Sequence, residues 1–509
     1  MKNSIVKATV CVALITLISS CSDYLVQENP NKVAASSFFQ TTNDVDRAVN
    51  GIYLALRSNS CMGEGSFLYT EERSDNMGRL DNQSNAGEPF QFTDFSLLPS
   101  NTYLKSHWAA MYIPITRANY VLTYIDNVVF TNNDQKENYK AEAKFVRALV
   151  YAQIVRKWGD VPLVTEYLTT EADINSNTLR EKQEKVYQQI ITDLNDALAS
   201  TLPNIQPEAG KGHACKAAIN VLLGEVYLTM AATITDNRQS NLENARTYLT
   251  AAYNMRKFGS LSEIPYVDVF NVDKKSTCPE IIFQIVYKQG DQTYYSSIAR
   301  DTQAKNETTN SLKKSNGAGM FVNPDLVKEY ESDDLRKAWS VKYANDPVAK
   351  SWFITKFRDT SSAASALGYG GNDFILMRYA DVILMLAEVN LYLGDIPAAT
   401  NFLNEVRARS QRPLYAAMLA NPDYSAKYPT LKLAILHERR VELAFENHRW
   451  FDLLRFFNDA ELKAFITGKS QDDYGVSNLK NFGTKDRFYP IPFDEYKLNP
   501  EKMWQNPGY

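Results

Sequence analysis

Leu376 to Asp395 reads LMRYADVILMLAEVNLYLGD, and its spacing decides the fold. Leu376, Tyr379, Ala380, Ile383, Ala387 and Leu391 fall at i, i+3, i+4, i+7, i+11 and i+15, the period of an α-helix that buries one face. Gly394-Asp395 then turns the chain, and Pro397 to Ser410 supplies a partner helix that packs back on the first. Working outward, similar spacing recurs at Asn43–Arg57 through Val45, Ala48, Ile52 and Leu56. It continues at Trp108–Tyr124, Glu137–Trp158, Lys185–Leu198, Ala214–Met230 and Leu242–Met255. Glu137–Trp158 carries two apolar stripes, Val146, Val150, Ile154 and Phe145, Leu149, Ala152, so it needs neighbours on both sides. A last helical block spans Leu431–Phe457. After it comes a Pro- and Asn-rich tail, YPIPFDEYKLNPEKMWQNPGY, expected to lie extended over the surface.

Two stretches break the pattern. Residues 58–102 fill with Gly, Asn, Ser and Asp, which reads as too polar for core and too long for a connector, hence a functional loop. Residues 288–372 are irregular as well, and Glu280 to Tyr287 ahead of them is short and β-branched, a strand. The expected fold is mainly α: a tetratricopeptide-like scaffold of helical hairpins with long irregular loop insertions and a few short strands. No clean 34-residue period survives. We read residues 1–20 as a leader and 21–509 as one domain. Its parts are 21–258 with the insertion 58–102, an irregular insertion at 259–372, and a helical part with the tail at 373–509.

The chain has 509 residues, a formal net charge of −4 and, among its aromatics, 30 Tyr, 24 Phe and 6 Trp. With a pI near 5.8 it offers no concentrated positive surface, which excludes a nucleic-acid partner. At the N-terminus, Lys2 and Lys7 precede an apolar run from Ala8 to Ile18, too short for a membrane span. Ile18-Ser19-Ser20-Cys21 follows and resembles the lipobox of bacterial lipoproteins, which implies that Cys21 becomes the first mature residue and is acylated. Beyond it lie Cys61, Cys215 and Cys278, an odd number that makes no full disulfide framework. Cys215 reads as a buried small hydrophobe, and a Cys61–Cys278 bond is left open.

Catalytic patterns are nearly absent. Only His107, His213, His437 and His448 exist, and His437-Glu438 lacks the second His that a helical zinc site requires, so no metal is expected. No GxSxG elbow, Walker loop or dinucleotide fingerprint occurs, so no cofactor is expected. Glu438, Glu442 and Glu446 form one carboxylate stripe at i, i+4 and i+8, and paired carboxylates are what glycoside hydrolysis uses. Arg439, Arg440, Arg449 and Arg455 sit close enough in sequence to neutralise that stripe, which favours a structural network over a catalytic acid. The insertions are better candidates. Asp75, Asn76, Arg79, Asn82 and Gln83 lie near Phe90, Phe92 and Phe95, while Tyr294, Tyr295 and Trp352 lie in the second irregular stretch. Aromatic faces flanked by hydrogen-bonding groups suit a neutral carbohydrate.

Five stretches in order along the chain resemble the SusD/RagB family, the nutrient-binding outer-membrane lipoproteins of Bacteroidetes. They are CSDYLVQENPNKVAASSFFQTTNDVDRAVNGIYLAL from Cys21, AEAKFVRALVYAQIVRKWGDVPLV at 141–164, MRYADVILMLAEVNLYLGD with AATNFLNEVRARS after it, ILHERRVELAFENHRWFDLLRF, and the terminal tail. The resemblance implies a tetratricopeptide-like scaffold and a lid over a SusC-like TonB-dependent transporter. It also implies capture of a glycan, or in the RagB branch a peptide, without catalysis, by a protein lipid-anchored in the outer membrane and facing the exterior. By resemblance to the starch-binding member, Asp75, Arg79 and Phe92 would hold the sugar, with Asn101 beside them. Phe92 stands where that member uses Trp. A lipid-anchored helical glycoside hydrolase is the competing reading.

Overall fold

The first long helix among the described residues begins with a reciprocal cap. Thr41 Oγ1 accepts from Asp44 N at 3.3 Å, and the Asp44 carboxylate accepts from Thr41 N at 2.9 Å, so two otherwise orphaned amides are satisfied. In this computed structural model, residues 38–79, 83–234, 236–304, 307, 320–345, 350–470, 472 and 479–509 are described. The principal helices are α1 (Thr42–Leu56), α2 (Thr102–Tyr124), α3 (Asn133–Trp158), α4 (Gln183–Leu198), α5 (Lys216–Thr233), α6 (Arg238–Asn254), α7 (Tyr379–Tyr392), α8 (Ile396–Arg409), α9 (Leu431–Glu442) and α10 (Arg449–Phe456). Each packs on the next from α1 to α8, and α7 also receives α9, which makes the expected run of stacked helical pairs. The pairing is tight at α5 and α6, where a Cβ on Gly224 would stand 2.5 Å from Leu249 Cγ.

Burial follows the apolar spacing. α1 buries Val45, Val49, Ile52 and Leu56 on one face, whereas α3 and α7, which have neighbours on both sides, are buried almost all round over long stretches. The block Leu431–Phe457 is not one helix. It breaks after Glu442, where Phe445 and Asn447 take positive φ of 67° and 66°. Asn447 then donates from its backbone N to Glu71 Oε1 at 2.8 Å and from Nδ2 to Ser66 Oγ at 2.9 Å. The break lets the chain dock on the 58–102 insertion.

Strands are short: β1 (Met77–Arg79), β2 (Val161–Pro162), β3 (Arg180–Glu181), β4 (Ile281–Ile285), β5 (Met320–Val322), β6 (Val341–Tyr343), β7 (Trp352–Ile354) and β8 (Phe374–Arg378). An antiparallel sheet in the order β1-β5-β7-β6 joins the two insertions, with Met77 opposite Val322, Val322 opposite Trp352 and Trp352 opposite Tyr343. β4 pairs with β8 and leads the chain into α7.

Three expectations change here. The 58–102 stretch is largely interior: Cys61 and Glu71 to Asn76 are almost inaccessible. Its polar residues go inside because charged partners from the C-terminal half meet them there. The tail is also not wholly superficial, since Tyr489 and Ile491 are buried and Trp158 Nε1 donates to the Pro490 carbonyl at 3.1 Å. Finally, Cys61, Cys215 and Cys278 are three separate buried thiols. Burial pushes the Cys61 thiol up to about 12. Cys21 and the leader lie outside the described residues. Among the described residues, no helix is long and apolar enough to cross a membrane.

Candidate functional site

The site's supports are ionic. Asp75 is fully buried, with Arg449 Nε 2.7 Å from Oδ1 and Arg440 Nη2 3.1 Å from Oδ2. Burial opposes its charge, but Arg440, Arg449 and Lys469 outweigh that and hold its carboxyl well below the usual carboxylate range. Asp75 therefore anchors the insertion to α9 and α10 and presents nothing to a ligand, which corrects its assignment as a sugar contact.

The carboxylate stripe on α9 is likewise structural. Glu442 is bound by Arg378 at 2.7 Å, by Arg336 at 3.0 Å and by Arg409; Arg378 also reaches Glu446 at 2.6 Å and Glu280 at 2.7 Å. Burial works against ionisation of Glu442, yet Arg409, Arg378 and Arg336 hold it well below its ordinary range, the opposite of a proton donor's requirement. Among the described residues, Glu331, His437 and Glu438 could gather round a metal ion. Arg407 already takes that place, with Nη1 2.8 Å from Glu331 and 2.9 Å from Glu438.

The two insertions converge on a cavity of about 240 Å³. β1 delivers Arg79 to it, the start of α2 delivers Tyr103, and the second insertion delivers Ser297 and Asp301. Arg79 is clamped by Glu72 through two bonds of 2.8 Å, Nε to Oε2 and Nη2 to Oε1, a bidentate pair that fixes the guanidinium plane. Tyr103 is half-buried, and its hydroxyl accepts from Asn85 Nδ2 at 2.6 Å. Glu64 ties the insertions together: its carboxylate accepts from Ser297 N and Ser297 Oγ, both at 2.8 Å, and from Ile298 N at 3.2 Å. Burial raises the Glu64 carboxyl above its ordinary value against the pull of those serine bonds. The lining thus mixes hydroxyls, an aromatic ring and carboxylates around one paired cation.

The remaining residues singled out in the sequence divide. Phe92 is buried edge-on against Tyr69 and Tyr489, with ring centroids 5.5 and 5.8 Å away, so it is core and not a platform. Asn101 caps α2, accepting from Leu104 N at 3.0 Å and donating to Gln91 Oε1 at 2.9 Å, which uses up the side chain. Both are corrections with one cause: the polar stretch folds inward. Tyr294 is 40% exposed beside Arg57, and Tyr295 packs on Tyr369 at 4.8 Å; the chain runs from them directly into Ser296-Ser297 at the cavity. Trp352 lies elsewhere, on β7, in a cavity with Tyr343 and Asp333. Glu72, Tyr103, Ser297 and Asp301 were not singled out, and no spacing rule marks them, because loops from both halves bring them together.

Residues 344–509 match the SusD family, and residues 23–228 match a family described as "Starch-binding associating with outer membrane". SusD-like protein P2 of Formosa agariphila is 28% identical over 99% of both chains. The chain belongs to the SusD/RagB family. A SusD-like protein of Bacteroides ovatus is 23% identical over 89% of this chain and 82% of its own. The SusD fold is shared with a SusD homologue from Bacteroides thetaiotaomicron, with a TM-score of 0.76 at 20% identity over 93% of this chain and 98% of that one. A laminarin-binding SusD-like protein has a TM-score of 0.74 at 24% identity, covering 92% of this chain and 100% of its own. Surface glycan-binding protein A of B. thetaiotaomicron scores 0.72 at 20% identity over 93% and 100%. The SusD/RagB assignment agrees with the mainly helical architecture and accounts for the α9–α10 network as part of the scaffold.

Proposed function

We propose that this SusD-like chain is an outer-membrane lipoprotein, anchored through Cys21 and facing the exterior, with residues 21–509 acting as one unit. It captures a neutral oligosaccharide and delivers it to a SusC-like TonB-dependent transporter without hydrolysing it. The observation that carries the reading is the cavity where both insertions meet, lined by Tyr103, the Arg79–Glu72 pair, Ser297 and Asp301. A half-buried ring gives a sugar's C–H face somewhere to lie, and the fixed polar groups around it bond hydroxyls. Glu72 is paired with Arg79 and Asp301 with Arg300, which leaves Glu64 as the carboxylate in excess, an electrostatic lining that disfavours acidic sugars. The family's description and the glycan-binding and laminarin-binding SusD-like proteins of the same fold point the same way. A binding role also fits the carboxylates of α9, Glu438 and Glu442, and Glu446 beyond its end, which are all committed to arginines or lysine.

The test is calorimetry against a panel of neutral oligosaccharides, with a reducing-end assay on the same samples. Binding without release of reducing ends is expected, and Tyr103→Ala should weaken it by about 1–3 kcal/mol, the scale of one aromatic contact. Turnover of any panel sugar would favour the glycoside hydrolase reading. Selective binding of peptides would favour the RagB-type role.

A further inference from the structure

A second cavity, of about 620 Å³, opens at the β6–β7 edge of the sheet and shares no lining residue with the Arg79 cavity. Arg79 stands on β1 at the other edge. Between them Met77 and Val322 occupy the register that leads to Trp352, and both are buried, so packed core divides the two openings. One wall of the second cavity is aromatic. Trp352 meets Tyr343 edge-on with centroids 5.5 Å apart, and Tyr343 is 48% exposed.

The charges in this cavity sort into committed and free. Glu331 is held by Arg407 at 2.8 Å, Asp334 by Arg336 at 2.8 Å and Lys342 by Glu307 at 2.7 Å. Arg358 lies over Trp339 at 3.8 Å and donates from Nε to the Thr355 carbonyl at 2.8 Å. Arg358, though it has no ion pair, is thus held by a ring and by backbone, which leaves Asp333 and Lys337, one of each sign, as the lining charges whose side chains make no ion pair, hydrogen bond or ring contact among the described residues. An apolar guest would desolvate both charges with nothing in return, and a charged guest would meet one of them as a like charge. A neutral ligand with an apolar face and a hydroxyl edge satisfies the aromatic wall and both free groups.

We infer that this cavity is a second saccharide site, separate from the Arg79 cavity, in which a neutral sugar lies on the Trp352–Tyr343 wall and its hydroxyls bond Asp333 and Lys337. The inference rests on the carbohydrate-binding reading above. It makes the protein bivalent, so a long glycan touching both openings is retained more strongly than either site alone would hold it.

Native mass spectrometry and calorimetry on the full chain, with laminarihexaose, maltohexaose, cellohexaose, mannohexaose and xylohexaose as probes, decide it. Two equivalents of at least one sugar are expected. Trp352→Ala should weaken one of them at least tenfold, and Tyr103→Ala should remove only the other. Because Trp352 also packs in the sheet, the pair Asp333→Asn and Lys337→Ala carries the test if Trp352→Ala does not fold; it should weaken the same equivalent. A single equivalent that Tyr103→Ala abolishes and these variants leave unchanged overturns the second site while the carbohydrate reading stands. Binding of no panel sugar overturns both. A sugar site that responds to Trp352→Ala and not to Tyr103→Ala upholds the second site and displaces the first.

Discussion

Replacing Asp75 by Asn would leave Arg440, Arg449 and Lys469 facing one another in the interior. Breaking one side of a buried ionic cluster costs about 3–5 kcal/mol, which denaturant unfolding at neutral pH should read. The folded Asp75 carboxyl is depressed, so its contribution is complete above the unfolded value of about 4 and shrinks as pH falls below that. The gap between wild type and Asp75→Asn should narrow accordingly in acid. Lys157 behaves in the opposite sense. Burial, with Arg156 assisting, lowers its ammonium to about 7, while its Nζ donates to His107 Nε2 at 2.9 Å. The unfolded lysine keeps its proton to about pH 10, so wild type gains stability between those values. Lys157→Met has no such gain, and its stability relative to wild type should decline from pH 6 to pH 10. A difference that stays flat would show that Lys157 does not titrate there. At this scale the sequence misled over ligand contacts, because Asp75, Phe92 and Asn101 look like exposed loop residues. Asp75 is buried by arginines more than 350 residues away, as its separation of 374 residues from Arg449 illustrates, and Phe92 packs on the tail ring Tyr489, whereas Asn101 is taken up by its near neighbours Gln91 and Leu104.

Between α5 and α6 the helices approach through Gly224, and a methyl there would press on Leu249 Cγ and Cδ2 at 2.5 and 2.7 Å. Gly224→Ala gains about 1 kcal/mol of helix propensity yet overpacks the contact by about 1–3 kcal/mol, so net destabilisation is expected. Leu249→Ala should reduce that penalty, and a double-mutant cycle measured by thermal unfolding will show whether the two changes couple. Helices were the readable part of the chain because apolar spacing reports directly on burial, as in Tyr379 to Tyr392, although the expected start at Leu376 was too early: Leu376 to Arg378 form the end of β8, which pairs with β4. The break at Phe445 and Asn447 was not readable, since the run of residues is helical in composition and only docking on Glu71 and Ser66 stops it. The strands β5, β6 and β7 are three residues each, too short for alternation to register, and only β4 was legible.

For the molecule as a whole, the proposed anchoring through Cys21 predicts that Cys21→Ala keeps the fold but leaves the membrane fraction, as sedimentation after a salt wash will test. Retention in the pellet would mean that something other than lipid holds it. The family and helical architecture were legible from five separated stretches, whereas the meeting of the two insertions was not, because no local pattern encodes a contact between distant loops. One contact of that kind ties the two ends together. Arg73, wholly interior, donates to the Asp486 carbonyl at 2.8 Å and lies over the Tyr489 ring at 4.9 Å, while Tyr489 in turn donates to the Tyr69 carbonyl at 2.7 Å. Synthesis proceeds from the N-terminus, and 413 positions separate Arg73 from Asp486. A nascent chain therefore carries Arg73 without its buried carboxylate partner until Asp486 has been made. Early helices can assemble while translation continues, but the region around Arg73 cannot close before Asp486 and Tyr489 have left the ribosome. A product truncated before Asp486 forfeits order at its beginning as well as at its end.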